Sequence, residues 1–169
     1  PVSSDDWQLQ TEIIQDIDAD PEQRCPLSIE FGHDQAHILY QTMRNDTTGE
    51  ERLGVWYSHG KLDQGNWAYR KAVGDEASLP ELIVIEDEEG DTLVSLWGEG
   101  DPQESELVVF ITDSNFETKE GMEARIPARG MTGIGMVETD RGVQVLFDRV
   151  GASGPQIEYG LIDVETGWV

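Results

Sequence analysis

The chain is poor in the features by which many proteins declare themselves. Cys25 is the only cysteine in 169 residues, so no intrachain disulfide can form. Flanked by Arg24 and Pro26, it reads as a loop thiol or an interchain bridge, which leaves the redox compartment open. No run of about 18 apolar residues is present, so no membrane-spanning helix is expected. A signal-like apolar segment is also lacking, and Pro1 fits either removal of an initiating Met or cleavage of a leader. Lysine occurs only as Lys61, Lys71 and Lys119. Helical periodicity is nearly absent. The best candidates, 21–24 and 76–79, are single turns. No GxSxG, GxGxxG or P-loop pattern occurs, and His33, His37 and His59 fall in or beside turns without zinc-ligand spacing. Enzyme activity is therefore disfavoured.

What is abundant is acid. Thirty-five Asp and Glu stand against 11 Lys and Arg, a net charge of −24. Such a surface repels phosphate backbones and anionic membranes, which excludes nucleic acid as the expected partner. It fits a highly soluble secreted, cell-surface or salt-tolerant protein. The acidity also means that two carboxylates close in sequence are no evidence of general acid–base chemistry.

The apolar residues gather into short dense runs, which argues for a packed core. Residues 7–14 (WQLQTEII) alternate with period two, as a strand does. After an acidic loop broken by Pro21 and Pro26 come apolar runs at 27–31, 36–43 and 53–58. Later runs lie at 82–85, 92–97, 107–112, 122–126, 132–137, 143–148 and 157–162. Gly, Asp, Asn or Pro punctuates each, so the expected class is all-β. Tyr40, Trp97 and Phe147 close corresponding second strands about 50 residues apart. Tyr57, Ile111 and Ile162 close corresponding third strands. Four-strand units at about this period mark β-propeller blades. Three are expected, at 27–72, 79–126 and an incomplete one at 131–169, within a single domain. A β-sandwich is the alternative. Because three blades are too few for a ring, residues 1–20 are expected to complete a blade of a second copy, or the chain to pair with a complementary propeller chain.

The segments AHILYQTM (36–43), RLGVWYSHG (52–60) and GNW (65–67) resemble blades of fungal fucose-specific lectins. The turn holding Ser58, Asp63, Gly65 and Trp67 is similar to a stretched Asp-box of sialidase-like propellers, and Arg125–Ile126–Pro127 resembles a sialidase RIP sequence. The lectin resemblance implies non-enzymatic glycan binding between blades. In that family an Arg of the second strand, a Glu of the third and an aromatic of a neighbouring blade grip the sugar. The second strands as read here, AHILYQ, TLVSLW and VQVLF, carry no Arg. A sugar also needs an aromatic face and planar polar groups. Candidates are Trp56, Trp67, Tyr69, Arg70, Trp97, Glu158 and Tyr159, and packing between blades is the competing role for each aromatic. The alternatives in function are a sialidase-like glycoside hydrolase fragment and a structural or protein-interaction propeller. No cofactor is expected apart from calcium at Asp16, Asp18 and Asp20. Their alternation begins like a calcium loop but lacks the Gly and Glu that complete an EF-hand.

Overall fold

A computed structural model of the chain describes residues 26–33, 35–45, 51–61, 67–88, 90–114, 116 and 118–168. The strand expected at 7–14, Cys25 and the candidate calcium ligands Asp16, Asp18 and Asp20 lie outside the described residues.

The described chain is all-β, with three four-stranded antiparallel sheets in succession. Blade 1 comprises β1 (Leu27–Phe31), β2 (Gln35–Asn45), β3 (Glu51–Lys61) and β4 (Trp67–Asp75). Blade 2 comprises β5 (Ala77–Asp87), β6 (Gly90–Glu99), β7 (Glu106–Asp113) and β8 (Thr118–Pro127). Blade 3 comprises β9 (Ile134–Thr139), β10 (Gly142–Gly151), β11 (Gly154–Asp163) and β12 (Gly167–Trp168). Every sheet is a meander whose strands pair in chain order. The first strands lie side by side, β1 against β5 and β5 against β9, as the inner strands of neighbouring propeller-like blades do. Face-to-face packing of sheets is also how a sandwich builds its core. Here there are three layers.

Blade 2 is buried on both faces. Side chains alternate along a strand, so β6 sends Leu93, Ser95 and Trp97 one way and Val94 and Leu96 the other. All five are buried. The first set joins Leu39, Val55, Tyr57, Leu82, Val108 and Phe116 in the seam with blade 1. The second joins Leu107, Val109, Ile111, Val143, Val145, Phe147 and Ile162 in the seam with blade 3. Each fully buried side chain of this size contributes about 1.5–3 kcal/mol. Two glycines admit tryptophans. A Cβ on Gly74 would lie 2.6 Å from the Trp97 indole nitrogen, and one on Gly160 would collide with the Trp168 ring.

Apolar side chains are open along β1 and on the outer face of blade 3, whereas Ala36, Ile38 and Tyr40 of β2, on the same face as the β1 residues, are buried. On β1, Leu27, Ile29 and Phe31 point away from blade 2, to which Ser28 is tied through the Leu82 backbone. On blade 3, Val137, Leu146, Ile157 and Tyr159 share the face opposite the core, and Ile157 is 79% exposed.

Two local expectations change. Residues 76–79 form no helical turn. Glu76 and Leu79 have φ of 50° and 57°, left-handed kinks that carry the chain from β4 into β5 with a bulge before Glu81. The second strand of blade 3 also runs on past Asp148 to Gly151, which places Arg149 within it. That reverses the reading of second strands without arginine.

Candidate functional site

The two seams carry different polar chemistry. In the first, the turn between β1 and β2 meets the β5–β6 hairpin of blade 2. Asp91 is the second residue of β6, and its side chain is 4% exposed. Gly32 lets that carboxylate lie against the turn, because any Cβ there would strike it. The His33 ring Nδ1 approaches Asp91 Oδ1 at 2.7 Å, and the His33 backbone N–H donates to the same oxygen at 3.3 Å. Behind it, His37 is fully buried and reaches Asp91 Oδ2 through Nε2 at 3.4 Å. Its Nδ1 meets the Tyr57 hydroxyl at 2.7 Å, and that hydroxyl donates to the Ser114 carbonyl. Burial alone would push the Asp91 carboxyl up. The hydrogen bonds from His33 and His37 outweigh it and hold the group below its ordinary range.

Beside this network the Tyr57 ring stacks on Phe116 at 4.3 Å and on His59 at 5.7 Å. Burial lowers the His59 pKa. Nearer the inner strands, desolvation raises Glu30, and desolvation together with the Glu30 charge raises Glu81.

In the second seam the polar groups sit at the rim. The segment joining β8 to β9 and the β10–β11 hairpin enclose a cleft of about 580 Å³ lined by Pro127, Arg129, Arg149, Val150, Ser153 and Gln156, among others. That volume falls within the range of small-ligand sites. The Arg149 guanidinium donates to Glu158 Oε1 from Nε at 3.0 Å and pairs with it through Nη2 at 2.8 Å. Its Nη1 reaches the Pro127 carbonyl of blade 2 at 3.4 Å. Only Oε1 of Glu158 is used, so Oε2 takes no donor among the described residues. Arg129 donates to Gln103 at 2.9 Å and has no carboxylate partner among the described residues. The joining segment is pinned by Asp148, which accepts from Thr132 N–H at 2.8 Å, Thr132 Oγ1–H at 2.6 Å and Gly133 N–H at 2.7 Å. Desolvation opposes ionisation of Asp148, but these donors win and lower its pKa.

The candidates named from sequence do not converge. Trp97 is 2% exposed in the first seam, its indole N–H donating to Glu99 at 3.0 Å, so it presents no open face. Trp56 is half-buried on β3, on the blade 1 face that carries Tyr40. Trp67, Tyr69 and Arg70 lie on β4, with backbones paired to Gly60, His59 and Ser58. Glu158 and Tyr159 are adjacent on β11 and face opposite ways. Glu158 pairs with Arg149, which lines the cleft, and Tyr159, 60% exposed, lies on the open face. No aromatic lines the cleft.

Arg149 was missed because RVGASGP reads as loop, and Arg129 and Gln156 because they fall just outside the apolar runs 122–126, 132–137 and 157–162. The run VQVLFDRV, unbroken by Gly or Pro, was the available signal. The convergence of His33 on Asp91 joins residues in different blades and left no local trace.

Neither a protein-family model, nor a curated protein, nor a solved structure matches this chain.

Proposed function

We propose that the chain is a non-enzymatic, carbohydrate-binding module of the propeller type, secreted or at the cell surface, which takes its glycan in the cleft between blades 2 and 3. The observation that carries this reading is the Arg149–Glu158 pair, an Arg of a second strand bridged at 2.8 Å to a Glu of the third at an inter-blade seam. This is the arrangement that the resemblance to fucose-specific lectins implies. The pair offers hydroxyl groups both planar donors and the Oε2 acceptor. Pro127, Val150 and Ala152 supply apolar surface where the lectins use an aromatic. Arg129 gives a carboxylate-bearing sugar a cation to pair with, which favours uronic-type glycans over neutral ones.

A glycan array probed with the wild-type chain and Glu158→Gln tests this reading. Saturable binding that the substitution abolishes, with the fold retained, supports it. Equal signals from both proteins, or none from either, refute it.

The reading includes a closed ring formed with a second copy. Blade 3 leaves an apolar face open, and blade 1 leaves apolar side chains open along β1. Seating blade 3 of one copy on blade 1 of another, twice around a two-fold axis, covers Leu27, Ile29 and Phe31 with Val137, Leu146, Ile157 and Tyr159. The blade faces bearing Trp56 and Tyr159 then meet at the junction between copies. Light scattering is expected to give twice 18.9 kDa, and Ile157→Glu to give the monomer. A wild-type monomer at micromolar concentration overturns the ring.

A further inference from the structure

We propose that His33, Glu86 and Asp91 form a binding site for a divalent transition-metal cation of the zinc type, shared between blades 1 and 2. Their ligand atoms, one ring nitrogen of His33 and one oxygen from each carboxylate, lie within 4.8 Å of one another. Metal–ligand bonds of about 2.0–2.2 Å place two ligands of one ion at most about 4.4 Å apart. Glu86 is exposed and His33 is 52% exposed, so a small rotation of either side chain closes the set.

Three features point to a cation here. First, Glu86 and Asp91 are directly opposite each other across the β5–β6 hairpin. Like charges in that position repel, and a cation between them reverses the sign. Second, Asp91 is rigid, with its side chain 4% exposed and its carboxylate seated against Gly32. His37 bonds Oδ2 from behind, while Oδ1 is turned toward His33. A ligand oriented by a buried outer partner, itself tied to Tyr57, is the usual support of a metal site. Third, one imidazole nitrogen with two carboxylate oxygens is a donor set suited to zinc and its neighbours. On binding, the metal takes the place of the Nδ1–H···Oδ1 hydrogen bond, and His33 carries its remaining proton on Nε2. The ion would link the β1–β2 turn to blade 2 at a seam separate from the proposed glycan cleft, and the inference stands independently of glycan binding.

The test is calorimetric titration of the full chain with zinc chloride, with native mass spectrometry for stoichiometry. One zinc ion per chain is expected, weakened at least tenfold in His33→Gln and in Glu86→Gln. Both substitutions are at exposed positions and leave the core intact. His37→Gln is expected to weaken binding by about 10–100-fold, as loss of an outer partner does. Absence of stoichiometric zinc binding would mean that the His33 ring alone balances the two carboxylates, and overturns the proposal. So would zinc binding that is unchanged in both His33→Gln and Glu86→Gln, because the ion would then sit among other carboxylates.

Discussion

The seam between blades 1 and 2 and the seam between blades 2 and 3 use the same blade 2 strands, yet they are built differently. The first is aromatic and holds its polar groups inside. Tyr57 and Phe116 stack beside a buried His37–Asp91 network, and Trp97 is buried farther along the seam. The second is mainly aliphatic, a layer of Val, Leu and Ile, and its Arg149–Glu158 pair and Asp148 stand at the edge. A polar group sealed in a core must be satisfied by the protein, and once satisfied it fixes geometry. A polar group at a rim keeps valences for a ligand. The first seam is thus suited to holding two blades in register around a cation, and the second to presenting a cleft.

Core truncation should separate the seams most strongly. Phe116→Ala removes a fully buried ring stacked on Tyr57 and is expected to cost about 3–5 kcal/mol. The conservative Ile162→Val in the second seam is expected to cost about 0.5–1.5 kcal/mol. Urea denaturation of both variants checks the ordering, and equal costs would remove the contrast. The buried network comes next. His37→Phe keeps the ring but leaves Asp91 Oδ2 and the Tyr57 hydroxyl each short of a partner. Its expected cost is about 1–3 kcal/mol in the same assay.

The rim carboxylate Asp148 should matter less. Asp148→Ala loses three hydrogen bonds, and about 1–2 kcal/mol is expected because the group is partly hydrated. Its folded pKa is lowered from 3.8, so its contribution is full above that value and fades as pH falls through the folded pKa. Stability of wild type and variant measured from pH 7 to pH 2 should converge at the acid end.

The smallest effect has the opposite sign. Glu81 has its pKa raised from 4.5 by desolvation and by Glu30. Its ionisation therefore removes stability as pH rises from 4.5 through the folded pKa. Glu81→Gln is expected to raise the melting temperature slightly at pH 7 and to leave it unchanged at pH 3.

Much of the fold was legible because burial is written in the apolar pattern. Blade 2, covered on both faces, reads TLVSLW and LVVFIT, almost without polar interruption. Blade 3, covered on one, alternates as VQVLF, with Val143, Val145 and Phe147 buried and Leu146 exposed. The sites were far less legible. Leu79 looked helical because nothing in its identity announces a left-handed φ. Arg149 was read as loop, although its strand continues to a hairpin turned between Gly151 and Gly154. The pairing of Glu86 with Asp91 could be read from the turn between them. The arrival of His33, 58 residues from Asp91, depends on how two sheets stack. Local pattern carries no record of that.

The second seam is proposed to present a glycan cleft. Titration of isotope-labelled protein with a uronic-acid oligosaccharide, followed by amide and side-chain NMR shifts, tests it most directly. The predicted result is saturable shifts confined to Arg129, Arg149, Ser153, Gln156 and Glu158, and absent in Glu158→Gln. Saturable shifts centred on Trp56 and Trp67 of blade 1, or no shifts with any glycan, would contradict it.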